Sequence, residues 1–144
     1  MTNDQAPMTK DSGLQHGDGM AKERRYDLCE RTARLGEAVI RFVRTIKLDA
    51  VAAPLVRQLV RSATSVGANY CEADEAGSKR EFRYRISICN RETRETKHWL
   101  RMLAVAAPMQ KDEARDLWKE AHELNLIFSA IYRKTKLRQS SPKD

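Results

Sequence analysis

Four residues between positions 62 and 72 have the types and the spacing for shared polar chemistry. Ser62, Ser65, Asn69 and Glu72 follow one another at steps of +3, +4 and +3, which on a helix sets hydroxyls, an amide and a carboxylate along one edge. That edge runs beside Val66 and Tyr70, so it turns partly inward, where an unpaired polar group costs about 1–3 kcal/mol. Partners are available further along the chain. Glu92 and Glu95 fall between an apolar seam and a basic side, and Arg61 stands one step before the polar edge. The expectation is an interhelical network of Arg61, Ser65, Asn69 and Glu72 with Glu92 and Glu95. Such a network either fixes the register of two helices or gathers carboxylates for acid–base catalysis. The first reading is preferred, because buried networks of this kind are more often structural.

Other catalytic constellations are incomplete. Glu95 and His98 make an E-x-x-H, but a di-iron bundle needs a second such motif and two further inward glutamates, and His122 has Lys119 where the glutamate belongs. His98 also stands beside Lys97 and Arg101. No Ser-His-Asp or Cys-His arrangement can be assembled, and no glycine-rich phosphate loop is present. The expectation is therefore no catalytic residue, no metal and no cofactor: not an enzyme. Cys29, Cys71 and Cys89 share no CxxC spacing and read as buried thiols of a reducing compartment.

The basic residues are the stronger lead. Arg80, Arg83, Ser87, Asn90, Arg94, Lys97 and Arg101 keep helical period as one polar face, and Lys79 to Arg101 holds eight bases against three acids. Arg34 and Arg41, a heptad apart, and Arg57 add candidates on other segments. Such a surface meets phosphates without reading sequence, and its binding falls steeply with salt. The alternative is a solvated face with ordinary ion pairs. Formal net charge is +7, and residues 133–144 carry five bases against Asp144.

The elements that position these groups are helical. Charged residues make up 33% of 144 residues and Gly plus Pro only ten, which favours an all-α domain. Residues 1–25 lack periodicity and read as a disordered extension. A first helix is expected from Asp27, with Glu30 at capping-box spacing, along a seam of Leu28, Thr32, Leu35, Val39, Phe42 and Ile46. A second starts near Pro54 and stops near Ala76, with Gly77 free to take the left-handed cap conformation. Ser78-x-x-Glu81 opens a third, which runs to about Ala106, and a fourth runs from about Asp112 into the RKTKLRQSSPKD tail. The expected architecture is an up-down-up-down antiparallel four-helix bundle over 26–135, with a basic tail at 136–144. Leu126, Ile127 and Ala130 widen the last apolar face and point to burial against copies of the same chain. No run approaches a membrane span and the start lacks signal-peptide order, so the expected location is cytoplasmic, with no membrane partner.

LVRQLVRSATSVGANYCEAD followed by SKREFRYRISICNRETRETKHWL resembles the paired signature of the bacterial four-helix-bundle proteins related to the 23S rRNA intervening-sequence protein. Arg61, Ser65, Asn69 and Glu72 fill its R-x-x-x-S-x-x-x-N-x-x-E core, and Ser78, Phe82, Glu92, Glu95, Trp99 and Leu100 match on the next helix. The resemblance covers about 26–132. It implies a homo-oligomer, a pentameric barrel being known in the family, and it extends to the accessory proteins of diversity-generating retroelements, which bind nucleic acid and a reverse transcriptase. The function expected is non-specific binding of RNA or DNA. The competing expectation is an adaptor whose helix faces dock a protein such as a reverse transcriptase.

Overall fold

The computed structural model describes residues 18–139, with side chains described from 28 to 136. Four α-helices and one short 3-10 turn account for most of these residues, and none of them is in a strand. They are α1 (Asp18–Val43), α2 (Ala52–Asp74), α3 (Lys79–Ala106) and α4 (Lys111–Gln139), with the turn at Pro108–Gln110.

The helices exist because their apolar residues recur on one side. Leu28, Leu35, Val39, Phe42 and Ile46 are all buried, as the heptad steps require. Leu59, Val66 and Tyr70 from α2, Ile86, Leu100 and Leu103 from α3, and Leu124 and Phe128 from α4 complete the same core. Burying one such side chain contributes about 1.5–3 kcal/mol, so the shared seam outweighs any single helix propensity. Threonines fill the remaining core steps without penalty. Thr32, Thr93 and Thr96 are 1% exposed or less, and each donates its hydroxyl to the carbonyl four residues back, at Leu28, Cys89 and Glu92.

Helix ends differ from the sequence expectation in four places. α1 begins at Asp18, so Asp27 is internal to a helix and not its cap. Ala21 to Arg25 are strong helix formers, and nothing after Gly19 interrupts them. α2 starts two residues before Pro54 because Asp49 Oδ1 accepts the backbone N–H groups of Val51 and Ala52 at 2.9 and 2.7 Å. Gly77 does not adopt positive φ. Its N–H is instead held by Glu81 Oε2 at 3.3 Å, while Ser78 Oγ accepts from Glu81 N at 3.1 Å, so the capping box starts α3 and also restrains the turn. α4 continues to Gln139, since no glycine or proline follows Pro108 until Pro142. Residues 1–17 and 140–144, the ends of the expected extension and tail, lie outside the described residues.

Neighbours in sequence are neighbours in space. α1 packs on α2, α2 on α3, α3 on α4, and α4 returns to α1, whereas the α1 and α3 backbones do not approach one another among the described residues. Contacts between successive helices run in reversed order: between α2 and α3, Ser62 meets Thr96 while the later Asn69 meets the earlier Arg85. Likewise Arg83 meets Tyr132 and Lys97 meets His122 between α3 and α4.

Candidate functional site

The polar edge of α2 is real, but it is split. At about 100° per residue, Asn69 lies roughly 20° from Ser62 around the helix, Ser65 roughly 60° and Glu72 roughly 80°. Exposure follows that angle: Ser62 is buried, Ser65 and Asn69 are half-buried, and Glu72 is exposed. Ser62 Oγ meets Thr96 Oγ1 of α3 at 3.0 Å inside the core. Asn69 Nδ2 donates to the Ser65 carbonyl and hydroxyl, both at 2.9 Å, and its Oδ1 accepts from Arg85 Nη1 at 3.2 Å. Glu72 joins none of these groups, because the last +3 step carries it out of the interface.

A second cluster holds the carboxylates. Arg61 donates from Nη1 to Glu92 Oε2 at 3.4 Å and from Nη2 to Glu95 Oε1, while Trp99 Nε1 donates to Glu95 Oε1 at 3.1 Å. Burial pushes the Glu92 carboxyl up, against the pull of Arg61 and with Glu95 adding repulsion. Burial also acts on Glu95, but the bonds from Trp99 and Arg61 outweigh it and hold that carboxyl below its ordinary value. The bond to Glu95 raises Arg61 in turn. The expected six-residue network is thus two clusters, Arg61–Glu92–Glu95 and Ser65–Asn69, the second completed by Arg85. Both tie α2 to α3.

Gly67 faces Thr32 of α1, where an added Cβ would lie 3.5 Å from the Thr32 backbone, and Gly36 faces Thr64 in the same way at 3.6 Å. Both glycines lie at the α1–α2 interface.

The basic candidates separate into groups. Arg80, Arg94 and Arg101 are exposed on α3 and form no ion pair among the described residues. Arg83 and Lys97 turn toward α4. The Arg83 guanidinium lies 4.8 Å from the Tyr132 ring centroid and Nη2 donates to its hydroxyl at 3.2 Å. Lys97 Nζ stands 3.1 Å from His122 Nδ1 and 5.4 Å from the Trp118 ring, which stacks on His122. With Lys97 as donor, His122 accepts at Nδ1. Between these two contacts, Asn125 Nδ2 donates to the Asn90 side chain at 2.7 Å and Ser129 Oγ donates to the same Oδ1 at 2.9 Å. The α3 face is therefore interrupted, because α4 covers its middle.

Arg34 and Arg41 belong to the other side of the molecule. They sit on α1, paired with Glu30 at 3.3 Å and Glu37 at 3.9 Å, along grooves that Glu113, Asp116 and Glu120 of α4 also line. Arg31 spans that groove with two bonds to Glu120, at 2.6 and 3.1 Å. Arg57 is exposed on α2. The eight candidates do not form one surface.

A further correction concerns the thiols. Cys89 is buried, its thiol pushed up to about 12 by that burial, but Cys29 is half-buried and Cys71 exposed. Glu95 is committed to Arg61 and Trp99, His98 is exposed against the Trp99 edge, and no group of three or more metal-ligating side chains occurs among the described residues. Sequence reasoning missed Arg85, Asn125, Ser129 and Tyr132. The signal for the α4 pair was available: Asn125 and Ser129, four apart, interrupt an apolar stripe as Ser65 and Asn69 do on α2.

These features define an all-helical bundle whose helices are bridged by polar clusters and whose third helix presents arginines without ion pairs among the described residues. The chain belongs to the 23S rRNA-intervening sequence protein family, whose model matches residues 24–130. A similar solved structure is a protein of unknown function from the S23 ribosomal protein family of Bacteroides thetaiotaomicron. It is 23% identical, covers 81% of this chain and 97% of its own, and superposes with a TM-score of 0.57, a likeness of fold. No curated protein matches the chain.

Proposed function

We propose that this protein is a non-catalytic, self-associating bundle of the cytoplasm that binds RNA or DNA through the phosphate backbone, without reading sequence. One observation carries the reading: Arg80, Arg94 and Arg101 are exposed with no acidic partner among the described residues, whereas Arg31, Arg34 and Arg41 on α1 are paired with glutamates. Unpaired bases repeated along one helix attract phosphates, and paired ones do not. The reversed order of contacts between successive helices supports up-down-up-down ordering, and the family resemblance supports a homo-oligomer, with a pentamer as its expected form. Multiplying a +7 subunit would concentrate the potential further.

The test is binding of the purified protein to labelled RNA and duplex DNA across a salt series. Affinity should fall with log–log slope, and replacing Arg80, Arg94 and Arg101 by alanine should flatten the duplex slope by about 0.9 per lost phosphate contact. Undetectable binding at low salt removes this reading and favours a second, an adaptor that docks a protein partner such as a reverse transcriptase. That reading has its own support in apolar side chains left in water, Leu126 at 56% exposure on α4 and Val105 and Met109 at the α3–α4 connection.

A further inference from the structure

Near the start of α3, five side chains surround an open cavity of about 360 Å³: Arg80, Arg83, Tyr84, Ser87 and, from α4, Tyr132. The α3 members sit at i, i+3, i+4 and i+7, so they share one face. Arg83 is held in place by Tyr132, whose ring lies under its guanidinium and whose hydroxyl accepts from it. Arg80, one turn earlier, is exposed and unpaired among the described residues. Glu81, the acid beside them, is tied back to the Gly77 N–H. Tyr84 stands at the lip with 59% of its surface exposed, and Arg85 lies 5.8 Å from its ring centroid.

We infer that this cavity is a subsite for single-stranded nucleic acid, with one phosphodiester between Arg80 and Arg83 and one unpaired base stacked on Tyr84. The inference rests on the nucleic-acid reading above and makes it more specific. A duplex presents phosphates but no free base faces, so exposed arginines such as Arg94 and Arg101 suffice for it. An aromatic ring beside a pair of arginines is the arrangement that captures a splayed base as well as its backbone. Because Tyr132 already fixes the Arg83 fork, less side-chain freedom is lost when a phosphate arrives.

The experiment compares a labelled oligouridylate with a duplex of matched length at low salt, using the full chain and its Tyr84→Ala, Tyr84→Phe and Arg80→Ala variants. Tyr84→Ala should weaken oligouridylate binding roughly five- to 150-fold, the range of base–aromatic stacking, and leave duplex binding within about twofold. Tyr84→Phe should keep single-strand affinity, and Arg80→Ala should flatten the single-strand salt slope by about 0.7. Equal losses on both polymers, or no loss on oligouridylate, overturn the subsite while leaving the basic-surface reading standing. A change in oligomeric mass by light scattering with unchanged binding overturns it too, and assigns Tyr84 to contact between copies. If the unaltered protein binds neither polymer, the broader reading fails first.

Discussion

Replacing Arg61 by alanine should destabilise the bundle by about 1–2 kcal/mol at neutral pH. Arg61 supplies the hydrogen bond that Glu92 makes, and the Glu92 side chain is only 12% exposed, whereas Glu95 keeps Trp99. Stranding one charge of a fully buried pair costs about 3–5 kcal/mol, and a bond to a charged group is worth about 1.5–3. Arg61 itself is 48% exposed, so water enters the space it leaves and brings the cost toward the lower figure. Urea unfolding at fixed protein concentration measures it, and the expected fall in Tm is roughly 3–10 °C for a domain of this size. Adding Glu92→Gln should recover part of the loss, because the stranded charge is then gone. The pH dependence has a defined sign. The Glu95 carboxyl lies below its ordinary 4.5 when folded, so its contribution is complete above that value and disappears as pH falls through the lowered one. Burial gives Glu92 the opposite sign. The deficit of the Arg61 variant should therefore shrink in acid. A variant within about 0.3 kcal/mol of the parent at neutral pH, or strict additivity with Glu92→Gln, would refute a register-fixing role for the cluster.

Gly67→Ala should stabilise the protein by about 0.5–1 kcal/mol in the same unfolding assay, since the new Cβ meets Thr32 at ordinary contact distance and helix propensity improves. A loss of stability would mean that α1 cannot accept even a methyl group. Asn125→Ala should cost about 1–3 kcal/mol, because the buried amide bonds Asn90 and Thr93. Titration with a thiol reagent should label Cys71 in the native protein and reach Cys89 only on unfolding, its thiol being buried and held protonated.

Helix count, the seams and the Ser78–Glu81 junction were legible in the residues, because periodicity and capping are local properties. The same locality explains the misplaced ends. Asp27 has capping chemistry, but a helix already running through it offers no free N–H groups to cap. Gly77 can adopt positive φ, yet the Glu81 carboxylate secures its N–H without that conformation.

The candidate site divides along the same line. Arg61 joining Glu92 and Glu95 followed from spacing, since these residues lie on facing helices joined by a short turn. Spacing on one helix could not say that Glu72 rotates out, that Gly67 meets α1, or that Arg34 and Arg41 sit beside the acids of α4. By itself the sequence determined the helices, their buried faces and the local surplus of positive charge on α3, because each depends on residues within a few turns. Only the tertiary structure decided that Arg31 reaches Glu120 and Arg61 reaches Glu92 and Glu95 across helices, while Arg80, Arg94 and Arg101 are left to solvent. That depends on the partner a neighbouring helix brings within hydrogen-bond reach, and packing chooses the partner.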